Sequence, residues 1–112
     1  ICTAQVLLAV MASSYAVYHG PQGLRAIAER THGLAQLLAK GLEKIGVQTT
    51  AEHFFDTITF DVKGSEQQKA VRKAAEARKR NLRYGNDGPV SVSLDETSTM
   101  SDVQDIIALV AE

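Results

Sequence analysis

The sequence predicts a small α+β domain of two layers, a mostly antiparallel sheet of three to four strands with helices on one face, preceded by a long apolar helix. Three patterns predict this fold class: an apolar run over residues 3–19, helical periodicity over residues 24–45, and short alternating segments after residue 57. A chain of 112 residues is long enough for one modest core. We therefore expect an interdomain helix over residues 1–19 and a small α+β domain over residues 20–112.

Composition and charge exclude several function classes. Hydrophobic residues make up 45% of the chain and charged residues 22%, which is typical of a globular protein. The formal net charge of −1 gives no general attraction to nucleic acids or anionic membranes. The single cysteine, Cys2, excludes an internal disulfide and fits a reducing compartment. The chain opens on Ile1 instead of Met, so we expect it to be a piece of a longer protein.

The first predicted helix covers residues 3–19. Its length of about 25 Å, at about 1.5 Å per residue, falls short of the hydrocarbon core of a membrane, about 30 Å thick. A helix that is apolar on every side is normally buried on every side. We therefore expect this helix to lie between the small domain and a larger neighbour.

The second predicted helix follows the break at Gly20-Pro21. Proline suits the first position of a helix, where no backbone donor is needed. Apolar residues then recur at steps of three and four up to Ile45, and Gly46 is the expected C-terminal cap.

The remaining segments predict the sheet and two shorter helices. Residues 47–50 are a candidate edge strand, and residues 57–62 alternate as a half-buried strand does. Ser65 and Gln68 have the spacing of a capping box, which would open a helix to about residue 80. Residues 82–84 and 90–94 flank a turn and predict a hairpin. A last helix starts at about residue 101, and its predicted buried residues are Val103, Ile106, Ile107 and Val110.

Most of the residues that could carry chemistry have a simpler structural interpretation. Cys2 has no histidine near it in sequence to activate it, so a structural thiol is favoured. The histidines, at positions 19, 32 and 53, lack the spacing of metal ligands. Asp95 and Glu96 end the last strand, where paired carboxylates serve either as acid and base or as a helix cap; we favour the cap. In Phe54-Phe55-Asp56-Thr57 we expect two aromatic anchors for a strand and a turn aspartate.

The run of residues 69–80 carries the strongest local charge, with six basic residues among twelve. An autonomous interaction module that binds RNA through this helix is the alternative function. The neighbouring strands offer no exposed aromatic residues for base stacking, so a solvated helix face is favoured over nucleic-acid binding.

Four motifs resemble one protein family. They are Ile1-Cys-Thr-Ala-Gln, Tyr18-His-Gly-Pro-Gln-Gly-Leu24, Phe54-Phe-Asp-Thr57 and Ser93-Leu-Asp-Glu-Thr97. Their order and spacing over the whole chain resemble the decarboxylating glycine dehydrogenase, or P-protein, of the glycine cleavage system. Val10 departs from the family, which commonly has Asn there. The resemblance implies a piece of a fold-type-I enzyme that uses pyridoxal phosphate (PLP), namely the small carboxy-terminal domain of its amino-terminal half.

The resemblance also implies what this piece contributes. The parent would decarboxylate glycine on PLP and pass the aminomethyl group to the lipoyl arm of the H-protein, in a bacterial cytoplasm or a mitochondrial matrix. Its partners would be the rest of the enzyme and its second half or subunit, and no membrane. The family's cofactor lysine lies in the other half, and no lysine here is a plausible substitute: Lys40, Lys44, Lys63, Lys69, Lys73 and Lys79. We therefore expect no catalytic, cofactor-binding or metal residue in this chain and no activity from it alone. Cys2, Thr3 and Gln5 are candidates only for the wall of the active site.

Overall fold

A computed structural model describes residues 3–111, with side chains from Gln5 onward. The elements are α1 Thr3–Lys44, β1 Thr57–Asp61, α2 Ser65–Ala77, β2 Arg83–Tyr84, β3 Pro89–Ser93 and α3 Met100–Ala111. The chain divides into two compact units, residues 1–30 and residues 31–112. In the part of the chain that is described, no helix is both long and apolar enough to cross a membrane.

Helix α1 confirms the predicted break. Gly20 has φ 64° and ψ 178°, so two helical segments meet there, residues 3–19 and residues 21–44. Pro21 directly follows the break, in the position where a missing backbone donor costs nothing. The domain boundary expected between residues 19 and 20 stays a prediction.

The sheet has three strands in the order β1-β3-β2, and both pairs are antiparallel. Alternation places Ile58 and Phe60 of β1 opposite Val92 and Val90 of β3 on the buried face. The predicted edge strand over residues 47–50 is wrong: it is reduced to one isolated bridge between Thr49 and Phe60. The backbone nitrogen of Thr50 still donates to the carbonyl of Thr59, at 2.8 Å, but the pairing does not extend into a ladder.

One core joins the buried face of the sheet to the helices of residues 31–111. Its members are Leu34, Ala35, Leu38, Leu42, Ile58, Phe60, Val62, Val71, Ala75, Leu82, Val90, Val92, Leu94, Val103, Ile106, Leu109 and Val110. The opposite face of the sheet carries hydroxyl pairs, Thr57 with Ser93 and Thr59 with Ser91, each at 2.9 Å between oxygens. The predicted two-layer α+β fold, with helices on one sheet face, is therefore present.

Helix α2 starts where predicted, but not by the predicted mechanism. Gly64 is its N-cap and no side chain caps it, so the capping box of Ser65 and Gln68 is wrong. The Gln68 amide instead donates to the carbonyls of Gly85 and Pro89, both at 2.9 Å, and so ties α2 to the β2–β3 hairpin.

Helix α2 also ends earlier than the predicted residue 80. The backbone nitrogen of Arg80 donates to the Ala75 carbonyl at 2.8 Å, and that of Lys79 to the Glu76 carbonyl at 3.0 Å. These two bonds form a Schellman motif, which closes a helix with a left-handed residue. Lys79 takes that conformation, with φ 56°, although glycine is the usual residue there.

Helix α3 has the capping box that the sequence interpretation assigned elsewhere. The Thr99 backbone nitrogen donates to the Asp102 carboxylate at 2.7 Å, and the Asp102 nitrogen donates to the Thr99 hydroxyl at 3.3 Å. Of the predicted buried residues, Ile107 is only partly buried, and Leu109 belongs to the core in addition.

Gly41 explains how α1 packs against α3. A Cβ atom built on Gly41 would collide with the side chain of Ile107, whose Cγ1 would lie only 3.0 Å away. The helix therefore accepts a residue of poor helix propensity, because only glycine leaves room for Ile107.

Candidate functional site at one end of the sheet

Two motifs that lie far apart in the sequence meet at one end of the sheet. Because β1 and β3 are antiparallel, the start of β1 and the end of β3 lie side by side, with Thr57 opposite Ser93. The Leu94 nitrogen donates to the Asp56 carbonyl at 3.0 Å, just beyond that pair. Residues 54–57 and 93–97 thus form one surface, which we call the sheet-end surface. The sequence interpretation did not bring them together.

Asp95 organises the second half of this surface. Its carboxylate accepts bonds from the nitrogen and hydroxyl of Thr97, at 2.9 and 2.7 Å, and from the nitrogen and hydroxyl of Ser98, both at 3.1 Å. The Thr97 hydroxyl and then its backbone nitrogen are the main causes that lower the pKa of Asp95, and the Ser98 bonds act in the same direction. An aspartate held ionised in this way is poorly suited to donate a proton.

The prediction that Asp95 caps the last helix is therefore wrong. Asp95 closes the turn over residues 95–98, while Thr99 and Asp102 cap α3. The sequence shows two acidic residues before a helix, and only the backbone path decides which hydroxyl and which carboxylate reach the free N–H groups.

His32 of α1 contacts the other half of the sheet-end surface, residues 54–57, through Phe55. The His32 Nδ1 donates to the Phe55 carbonyl at 2.8 Å, and its Nε2 accepts from the Gln36 amide at 3.0 Å. Because a carbonyl oxygen only accepts, the hydrogen of the bond to Phe55 is on Nδ1. The His32 ring also stacks on Phe55, with centroids 5.9 Å apart and planes 13° apart. Phe54 packs against the core, whereas Phe55 is 53% exposed. Of the two phenylalanines expected to anchor the strand, only Phe54 therefore contacts the core.

A cleft of about 440 Å³ lies next to the sheet-end surface. Its floor includes Leu82, Val92 and Ile106, and its rim carries polar side chains from the connections before β2 and after β3. The polar lining residues are Lys79, Arg80, Asn81, Ser93, Asp95, Thr97, Ser98 and Asp102. Among the described residues, the lining of this cleft includes no thiol and no imidazole.

Arg80, one of the polar residues that line the cleft, joins the segment after α2 to helix α3. The guanidinium of Arg80 contacts the Asp102 carboxylate at 2.6 Å and the Asp105 carboxylate at 2.7 Å. Asp105 and then Asp102 hydrogen bonds raise the pKa of Arg80, and the pKa of Asp102 is lowered, first by the Thr99 hydroxyl and also by Arg80. The Nε of Arg80 is buried without a hydrogen-bond partner. This network locks the end of α2 to the start of α3.

The basic run is partly neutralised. Lys69 pairs with Glu66 at 2.6 Å and Arg72 with Glu76 at 3.0 Å, both on exposed parts of α2. The Arg72 guanidinium also lies 5.3 Å from the centre of the Tyr84 ring. Together with the pairs of Arg80, these contacts leave fewer cations for phosphate than the composition of residues 69–80 suggests.

The remaining predicted residues are dispersed. No cluster of three or more potential metal ligands occurs among residues 3–111. The six lysines are all exposed. Gln5 is exposed on α1, Thr3 is described only as the first residue of that helix, and Cys2 lies outside the described residues.

Large apolar side chains are exposed throughout the first segment of α1. Leu7 is 63% exposed, Val17 84% and Tyr18 85%, and the first formally charged residue is Arg25. This surface, residues 6–18, is the largest concentration of exposed apolar side chains in the described part of the chain. We call it the apolar helix surface.

Comparison with known proteins decides the family. The model of the glycine cleavage system P-protein family matches residues 1–110. The chain belongs to this family. A glycine dehydrogenase (decarboxylating) of Nostoc punctiforme is 49% identical over 111 residues, which are 99% of this chain and 11% of the relative. The same enzyme of Thermosynechococcus vestitus is 53% identical over 109 residues, again 11% of its length.

Solved structures support the same fold. A P-protein glycine decarboxylase in inhibitor-bound form matches 99% of this chain and 26% of its own, with a TM-score of 0.81 and 24% identity. An 8-amino-7-oxononanoate synthase of Francisella tularensis matches 74% of this chain and 26% of its own, with a TM-score of 0.65 and 9% identity. The predicted fold class, a small domain of fold-type-I enzymes, and the predicted P-protein family are both confirmed. The chain spans 11% of the length of its P-protein relatives.

Proposed function

We propose that this P-protein segment belongs to the PLP-dependent, glycine-decarboxylating subunit of the glycine cleavage system. The observation that carries the proposal is the identity of 49% and 53% to two decarboxylating glycine dehydrogenases over nearly the whole chain. The parent would release the carboxyl group of glycine as CO₂ and pass the remaining aminomethyl group to the lipoyl arm of the H-protein. PLP would supply the electron sink for that decarboxylation.

The segment itself would support the active site instead of supplying its reacting groups. PLP enzymes of this type hold the cofactor through a lysine in an enclosed site, and the six lysines here are exposed. Lys69 forms an ion pair with Glu66. Asp95, one of the two carboxylates considered as acid and base, accepts a hydrogen bond from Thr97 of its own turn. The described residues do not fit a PLP site, so we place the cofactor lysine in another part of the parent.

The partners and the compartment follow from the same proposal. The segment would work with the rest of the enzyme, with its second half or subunit and with the H-protein. The parent would reside in the cytoplasm of a bacterium or in the mitochondrial matrix of a eukaryote. The alternative of an autonomous RNA-binding module has less support, because acidic side chains pair with three cations of the basic run.

A chimera tests the proposal. The matching segment of the Nostoc punctiforme enzyme is replaced by this chain, and glycine-dependent CO₂ release is measured with lipoylated H-protein. We expect the chimera to retain activity, because the two segments are 49% identical and the catalytic groups lie elsewhere. A chimera that folds and binds PLP but releases no CO₂ would contradict the proposed function.

A second measurement addresses the supporting role alone. The isolated 112-residue chain is titrated with PLP and followed by its visible absorbance. We expect no saturable change, whereas saturable attachment at one lysine would overturn the placement of the cofactor lysine.

A further inference from the structure

The tip of the β2–β3 hairpin, residues 86–88, is a short loop whose two ends are tied together. The Gly85 nitrogen donates to the Pro89 carbonyl at 2.8 Å. The Gln68 amide of α2 donates to the carbonyls of the same two residues, each at 2.9 Å. The loop therefore spans a set distance between two residues that are held to each other and to α2.

Asp87 and Gly88 of this loop carry two groups that can react with each other. Asp87 is exposed and has a left-handed backbone conformation, with φ 62°. Within residues 3–111, the Asp87 carboxylate has no hydrogen-bond or ion-pair partner, and the Gly88 nitrogen donates to no backbone group. The hydrogen bond at Gly88 is one that its carbonyl accepts from the Val62 nitrogen, at 3.3 Å.

The surroundings of position 88 require glycine. Gly88 has φ 133°, and a Cβ built there would collide with the Asp61 carboxylate and lie 2.8 Å from the Val62 carbonyl oxygen. No side chain at position 88 therefore shields the Gly88 nitrogen from its neighbour Asp87. Gly88 is buried as a residue, but the two reacting groups are joined by the chain, so their approach needs no path from solvent.

We propose that Asp87-Gly88 is a site of spontaneous isoaspartate formation, with water as the co-reactant. The Gly88 nitrogen attacks the side-chain carboxyl carbon of Asp87 in its acid form. A C–N bond forms, and the carboxyl hydroxyl leaves as water with the proton of that nitrogen. Water then opens the five-membered imide. Its hydroxyl adds to the main-chain carbonyl carbon of Asp87, its proton goes to the nitrogen, and the original peptide bond breaks.

The product differs from the native chain in its path, not in its mass. The main chain now runs through the side chain of Asp87 and is one atom longer between positions 87 and 88. Because the ends of the loop are tied at Gly85 and Pro89, the extra atom must displace the residues between them. We expect the bond from Val62 to the Gly88 carbonyl to be lost first. This inference concerns the chain itself and does not depend on the activity of its parent.

Ageing of the chain in labelled water tests the site. The 112-residue chain is incubated at neutral pH in water enriched in ¹⁸O, and it is then digested in ordinary water. Isoaspartyl and aspartyl peptides are separated by chromatography against synthetic standards and weighed by mass spectrometry. We expect an isoaspartyl peptide at position 87 that carries one ¹⁸O atom, since hydrolysis of the imide during ageing takes that atom from water. An isomer without ¹⁸O would have formed during digestion and would overturn the proposal.

The other aspartates of the chain provide internal controls. Asp102 and Asp105 lie in α3, which must open before their following nitrogens can attack. We expect isomerisation at Asp87 to be at least about tenfold faster than at either of them, because exposed loops open at little cost. Equal rates at the three positions would overturn the proposal. Asp87→Glu keeps the charge but would have to form a six-membered imide, and it should give no isomer at this position.

Comparison with the unfolded chain tests the geometry of the loop. We expect the folded chain to isomerise at Asp87 no more than about tenfold more slowly than the same chain in urea, because the loop needs little opening. Stronger protection would show that the turn holds the two groups apart, which would overturn the site. Faster hydrogen exchange of the Val62 amide in the purified isomer is the expected structural consequence, and an unchanged exchange rate would contradict the loss of the bond to Gly88.

Discussion

At the level of single residues, Gly33 and Gly41 of α1 differ in whether a larger side chain would fit at their positions. Nothing lies within 4 Å of a Cβ built on Gly33, whereas a Cβ on Gly41 would collide with Ile107. The sequence shows both as equal weaknesses of a helix. The packing shows that one is replaceable and the other creates space for a neighbouring helix.

Alanine substitutions should separate these roles. Gly33→Ala is expected to raise the free energy of unfolding by about 1 kcal/mol, the gain in helix propensity. Gly41→Ala is expected to lower it by about 1 kcal/mol, because overpacking costs about 1–3 kcal/mol and exceeds that gain. Urea unfolding measures both free-energy changes, provided that the slope of the unfolding free energy against urea concentration is unchanged. The double variant Gly41→Ala/Ile107→Val removes the colliding methyl group and should recover stability; failure to recover would contradict the assigned contact.

The carboxylate of Asp102 is expected to make the stability of the fold depend on pH in the acid range. Its pKa is lowered in the folded state, chiefly by the Thr99 hydroxyl and also by Arg80, so the folded state prefers the ionised form. The stability that it contributes is present above the unfolded pKa, about 3.9, and is lost as the pH falls through the folded pKa. We expect the melting temperature to fall below about pH 5. Asp102→Asn should flatten that fall, and an acid limb with the wild-type slope would show that Asp102 is not its source.

At the element scale, the caps of α2 and α3 show how far sequence motifs determine helix ends. Ser65 and Gln68 have capping-box spacing, yet Gly64 is the cap and Gln68 bonds the hairpin. Thr99 and Asp102 form the reciprocal pair at α3. Both spacings occur in the sequence, and only the direction of the incoming backbone distinguishes them.

A pair of substitutions tests this assignment. Thr99→Ala removes the cap of α3 and should cost about 1 kcal/mol of unfolding free energy, a typical value for a lost N-cap. Ser65→Ala should change stability by less than about 0.5 kcal/mol, because an exposed serine without a capping bond contributes little. Thermal or urea unfolding measures both variants. Equal losses would show that Ser65 does cap α2.

At the scale of the whole molecule, the core belongs to one unit of the chain. Its buried members extend from Leu34 to Val110, within the unit of residues 31–112. None of them comes from residues 5–30, the part of the first unit whose side chains the structure describes. The unit of residues 31–112 therefore carries its own stabilising contacts.

Truncation tests this division. A chain of residues 31–112 is expected to fold cooperatively, with a melting temperature within a few degrees of the full chain, because its core is complete. It should also associate less, since it lacks the exposed apolar side chains that favour association. Circular dichroism and sedimentation velocity measure the two properties. A truncated chain that is unfolded would show that residues 1–30 are required for the core.

The amino-acid sequence was sufficient to predict the fold class and most elements, because long runs with a period near 3.6 or 2 indicate helices and strands that bury one face. The family was predicted from the resemblance of four motifs. The predictions were wrong for residues 47–50 and for the caps of the shorter helices. Pairing along a sheet edge depends on the path of the following loop, which local periodicity does not indicate.

The tertiary structure shows which residues distant in sequence share a surface. Residues 54–57 and 93–97 meet because β1 and β3 are antiparallel, and His32 reaches Phe55 across 23 positions of sequence. No local pattern encodes such contacts, because they depend on strand order and helix placement. The fold class that the apolar and alternating runs predicted therefore came from local periodicity, and the sheet-end surface came from topology.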